Sequence, residues 1–123
     1  MPSTIPRGPR QVWKALIWSL HGLRAGWRQE ASFRLEVCLV VILLPLGLWL
    51  GNGAVEKALL CGSLLLVPAA ELLNAALEAI VDHVCPDVHP FAERAKDMGS
   101  AAVFVLMLNV LLVWGLILAQ RWM

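Results

Sequence analysis

Charge is scarce in this chain. Only 15% of its 123 residues are charged, against 59% hydrophobic. A soluble domain of this length has too little interior to hide so much apolar surface, so the bilayer is its natural solvent. Net charge is also lacking: at +1 it argues for no polyanionic partner, and no nucleic acid is expected. Cysteine is limited to Cys38, Cys61 and Cys85, an odd number without paired spacing. That gives no support to a disulfide framework, and all three read as free thiols. The N-terminus lacks a short apolar core followed by a small-residue cleavage site, so no cleaved signal peptide is expected. There is no G-x-x-x-x-G-K-[ST] and no Gly-rich dinucleotide fingerprint, so a bound nucleotide would need an unconventional site. No Ser-His-Asp or Cys-His triad can be defended, and no internal repeat or low-complexity block is evident.

What is there reads as an all-α membrane protein. Met1–Arg10 holds three prolines and reads as a loose tail, with a single membrane domain over 11–123. From about 11 to 29, Val12, Trp13, Leu16, Ile17, Leu20, Leu23 and Trp27 line one helix face, with Lys14, His21, Arg24 and Arg28 elsewhere. A basic amphipathic helix with tryptophans suits the membrane surface; a helix packed on a soluble core is the bland alternative. Transmembrane helices follow at about 35–50, 58–81 and 98–119. Pro45 interrupts the first, and Gly51-Asn52-Gly53 is a turn before the second. A polar segment over 83–97 precedes the third.

Lysine and arginine bias orients the chain. Arg7, Arg10, Lys14, Arg24, Arg28, Arg34, Arg94 and Lys96 fall on one side, and only Lys57 and Arg121 on the other. The N-terminus and the 82–97 loop are therefore expected in the cytoplasm, and the C-terminus outside it.

The second span carries a polar stripe. Glu71, Asn74, Glu78 and Asp82 are spaced by three, four and four residues, which sets them within roughly an 80° arc of one helix. Ionisable groups in a membrane helix cost about 2.5–3.5 kcal/mol each on insertion scales, and so should face protein, water, metal or substrate. Glu71 and Glu78 are roughly 10 Å apart along the axis, so one carboxylate can act deeper, on a lipid head group, and the other nearer water. Interhelical hydrogen bonding in an oligomer is the alternative. Glu30, in RQEASFRLE, is a further hard oxygen ligand that could join Glu78 on Mg²⁺, though Glu30 and Arg34 also suit an ordinary helix-face pair. In ERAKDMGSAA, Lys96 and Asp97 stand just before a long apolar helix, where a lysine could offset phosphate charge or simply be solvated. His83, Cys85, Asp87 and His89 alternate in HVCPDVH without the usual paired metal-ligand spacing, which weighs against structural zinc.

These segments resemble the small integral-membrane diacylglycerol kinases of bacteria. GLRAGW (Gly22–Trp27), EASFRLE (Glu30–Glu36), ELLNAALEAIVD (Glu71–Asp82) and RAKDMGSAA (Arg94–Ala102) occur in that family's order and spacing, so the likeness spans nearly the whole chain. The resemblance implies three transmembrane helices, an N-terminal surface helix and a homotrimer with active sites shared between protomers. It implies a bacterial inner-membrane enzyme with ATP and Mg²⁺ that phosphorylates diacylglycerol to phosphatidic acid among membrane lipids. Carried over by position, Glu71 is similar to the family's catalytic base, and Glu30 and Glu78 to its metal carboxylates. Asn74, Glu78, Glu30, His89, Lys96 and Asp97 match nucleotide-site positions, and Ser100, Arg34 and Glu36 the lipid-binding region, beside Glu71. The chain departs from the family at Trp18, where a nucleotide-site tyrosine is common, at Gln11, where an arginine is common, and at Ala75, where serine is usual. Glu71, partly desolvated, would be a better base for an alcohol proton. A polyprenol such as undecaprenol is an alternative substrate. A non-enzymatic proton or ion conduit is a further alternative, but it leaves Glu30, Lys96 and Asp97 without a role.

Overall fold

The computed structural model describes residues 8–122. It contains four helices in chain order: α1 (Pro9–Gln29), α2 (Ala31–Leu50), α3 (Gly53–Val84) and α4 (Pro90–Ala119). α2, α3 and α4 are each long and apolar enough to cross a membrane, at 20, 32 and 30 residues. The shortest spans about 30 Å at 1.5 Å per residue, the thickness of a hydrocarbon core.

The helices run past their apolar stretches, and the caps explain where they stop. α1 takes in Pro9 and Arg10, which read as tail from composition; a proline in the first turn forfeits a hydrogen bond that no helix makes there. The remainder of the expected tail, residues 1–7, lies outside the described residues. α4 begins at Pro90, so Glu93, Arg94, Lys96 and Asp97 stand on a helix and the connection shrinks to residues 85–89. His89 is the reason: its Nδ1 accepts from the Phe91 amide at 3.2 Å and caps the new helix. α2 continues through Pro45 and α3 through Pro68.

α3 is the central helix, packed along α4 and along α2, while α1 touches α2 and α3 more sparingly. The interior is narrow: Leu60 is fully enclosed, and Leu64, Val67, Val103 and Ile117 are also buried. Gly47 is where three helices meet. A Cβ there would lie 3.3 Å from Leu60 Cβ and 3.4 Å from both Cys61 Sγ and Trp114 Cζ2. Trp114 Nε1 donates to the Leu60 carbonyl at 3.1 Å across the α3–α4 seam. At one end of the bundle Glu56 accepts from the Asn52 amide (3.1 Å), Gln120 Nε2 (3.0 Å) and Arg121 Nη2 (3.3 Å), stapling the start of α3 to the end of α4. Most large apolar side chains face outward, among them Val41, Ile42, Trp49, Phe104, Leu111 and Leu112. In water such a surface is an aggregation liability; in lipid it is the expected exterior.

Candidate active site

The end of the bundle away from Glu56 is built differently. Between α1 and α2 the chain breaks helix at Glu30 alone, which has extended backbone (φ −117°, ψ 108°) and ends one helix as it starts the next. Arg34 holds this corner, donating through Nη1 to the carbonyls of Trp27 (2.8 Å) and Arg28 (3.2 Å), the orphan acceptors at the end of α1. Gly26 lets the corner seat: a Cβ there would come within 2.6 Å of Leu72 Cδ2 and 3.2 Å of Phe33. Glu30 thereby reaches the polar stripe of α3.

The stripe faces a cleft between α2, α3 and α4 of about 400 Å³. Glu30, Ser32, Glu36, Glu71, Asn74, Glu78 and Ser100 line it, with Val103, Phe104 and Met107 as an apolar wall. Glu36 and Glu71 are buried. Asn74 Nδ2 donates to Glu78 Oε1 at 3.3 Å, which orients that carboxylate. Asn74 Oδ1 and Glu36 Oε2 are buried without a hydrogen-bond partner. Among the described residues, no basic side chain forms an ion pair with Glu30, Glu36, Glu71 or Glu78. Clustered carboxylates without cations are costly in a low-dielectric site, and a bound cation or protons must offset them.

A second, apolar groove of about 250 Å³ shares Glu36 and Met107 with this cleft. Its other walls are Leu39, Val40, Leu43, Leu64, Val67, Val110 and Leu111. A ligand lying across the two would meet carboxylates at its head and hydrocarbon along its tail.

Of the residues singled out from the sequence, Glu30, Glu36, Glu71, Asn74, Glu78 and Ser100 come together in the cleft. Lys96, Asp97, His89, Trp18 and Arg34 are not among its walls. Lys96 forms an ion pair with Asp82, tying α4 to α3, which gives the outermost acid of the stripe a structural partner. His89 caps α4, and Arg34 caps α1. Ser32 was missed: it lies beside the Glu71 carboxylate, and its position four residues before Glu36, on the same face of α2, was the available clue. Among the described residues no three metal-ligating side chains converge. The pair Glu30 and Glu78 nevertheless suits Mg²⁺, which is commonly held by one or two carboxylates with phosphate oxygens completing its shell.

The family profile described as prokaryotic diacylglycerol kinase matches residues 17–118. The chain is similar to the diacylglycerol kinase of Haemophilus influenzae, 46% identical over 101 residues, covering 82% of this chain and 86% of that one. It is 40% identical to that of Escherichia coli K12 over 111 residues, covering 90% and 91%. It is 42% identical to that of Pseudomonas aeruginosa over 111 residues, covering 90% of each. The chain therefore belongs to the prokaryotic diacylglycerol kinase family.

Proposed function

We propose that this enzyme transfers the γ-phosphoryl group of ATP to the free hydroxyl of diacylglycerol, giving phosphatidic acid and ADP. The observation that carries the reading is the shared wall between a carboxylate cleft and an apolar groove, in a chain of this family. A lipid alcohol with two acyl chains has that two-part shape.

In this reading Glu71 takes the hydroxyl proton as the alcohol oxygen bonds to the γ-phosphorus and the bond to the β–γ bridging oxygen breaks. Its burial and its place beside Ser32 suit a base held in one orientation. Glu30 and Glu78 would hold Mg²⁺, which when bound neutralises phosphate charge, and Asn74 keeps Glu78 aimed. Lys96, Asp97, His89 and Trp18 serve the nucleotide from outside the cleft. Ser100, Glu36 and Arg34 serve the lipid, Arg34 by holding the corner that carries Glu30. The lysine and arginine bias supports a cytoplasmic N-terminus and α3–α4 connection in the inner membrane, so that ATP meets the cleft from the cytoplasm. Three copies, sharing sites, form the working unit.

Purified protein given labelled ATP and, in separate mixtures, diacylglycerol, ceramide and undecaprenol tests the reading. Label is expected in phosphatidic acid. Faster labelling of undecaprenol would overturn the substrate, and no labelled lipid in any mixture would overturn the reaction.

A further inference from the structure

α1 carries a short recurrence that the cleft does not use. Arg10, Trp13 and Lys14 reappear fourteen residues on as Arg24, Trp27 and Arg28. Fourteen residues are nearly four turns, so the two sets share a face and stand about 21 Å apart along the axis. At 100° per residue the four cations fall within roughly an 80° arc. Exposed Val12, Trp13, Leu16, Leu20, Leu23 and Trp27 fill an adjoining arc of roughly 100°, with Trp13 at the edge nearer the cations and Trp27 near the middle of the arc. Gly26, buried against the bundle, points away from the cations.

Each set lines its own surface cleft. Pro9, Arg10, Trp13 and Lys14 form one. Leu23, Arg24, Trp27, Arg28, Phe33 and Val37 form the other. All four cations are exposed, and none pairs with a carboxylate among the described residues. α1 itself contains no Asp or Glu. The second cleft is held firm by Arg34, which clamps the carbonyls of Trp27 and Arg28.

We propose that these two clefts are equivalent sites for anionic phospholipid headgroups. In each, the cation pair receives the phosphate, the indole sits at headgroup level, and the neighbouring apolar stripe lies in the acyl region. A water-borne anion would leave that stripe without a use. A zwitterionic headgroup would bring an ammonium that α1 has no carboxylate to receive. The pairing selects anionic lipid for the same reason that juxtamembrane basic segments do. This rests on α1 lying at the membrane surface and is independent of the phosphoryl transfer, so its test measures no turnover.

Native mass spectrometry of the full-length protein from mixed micelles counts retained phosphatidylglycerol and phosphatidylcholine per chain. The wild type is expected to keep two more phosphatidylglycerol than phosphatidylcholine molecules. R10Q/K14Q and R24Q/R28Q should each keep one fewer, and the quadruple variant none. Titration should show affinity falling about fivefold for each charge removed. Should a variant fail to assemble, the wild type decides: raised salt must release phosphatidylglycerol, and millimolar inorganic phosphate must not. Equal retention of the two lipids, undiminished retention in the quadruple variant, or displacement by inorganic phosphate would each overturn the proposal.

Discussion

Glu78 and Asn74 show how much of the site depends on one small residue. A Cβ on Gly99 would collide with Asn74 Oδ1. The obstacle is the movable end of a side chain, so Gly99→Ala should fold, with Asn74 rotated away and its donation to Glu78 lost. The expected result is a KM for Mg·ATP raised roughly tenfold, the worth of a hydrogen bond to a charged group, with a smaller change in kcat. Steady-state kinetics at varied nucleotide would check it, and an unchanged KM would remove the glycine from the account. For Glu30→Gln and Glu78→Gln the expectation is a large loss of activity, partly restored by raised Mg²⁺. A magnesium titration insensitive to both substitutions would exclude the metal role. The stripe from Glu71 to Asp82 was legible because helical periodicity needs only spacing. Ser32 was not, because its one clue, a place four residues before Glu36, singles out nothing until α2 is packed against α3. Nor was the pairing of Asp82 with Lys96, since two residues fourteen apart meet only when the α3–α4 turn is known.

At the scale of elements, hydropathy located the spans and missed the helix ends. α4 starts at Pro90 rather than near residue 98, because polar residues beside a membrane look alike in a helix or a loop. The Pro90 start and the His89 cap hold the answer, and neither registers as hydrophobicity. Glu56 is another feature of this scale, invisible in sequence because its partners Gln120 and Arg121 lie at the far end of the chain. Glu56→Ala should destabilise the bundle by about 1 kcal/mol, given partly exposed charged partners, without altering the distant cleft. Thermal unfolding in detergent, alongside an activity assay, would read this; a loss of activity at full stability would contradict it.

The whole molecule is polarised. One end is a staple of Glu56, Gln120 and Arg121; the other gathers four carboxylates, the α1–α2 corner and the basic face of α1. The narrow core between them leaves hydrocarbon-facing side chains around the girth. A head-group reaction at one membrane face needs this arrangement: charge and orientation at one end, an apolar groove leading in from the side, and a rigid far end. The membrane class was readable from composition, and Glu71 and Glu78 from helical spacing, whereas Glu36 joined them only through the family resemblance. The groove beside the cleft was not, because it is made by residues of three helices whose packing the sequence does not display.

The most direct measurement compares the rate of labelled phosphate transfer from ATP to diacylglycerol by the wild type and by Glu71→Gln, purified side by side. The account predicts the same helical content and assembly, with transfer reduced by about 10²–10⁴-fold, the usual contribution of a general base. A correctly assembled Glu71→Gln protein that phosphorylates diacylglycerol at the wild-type rate would contradict it.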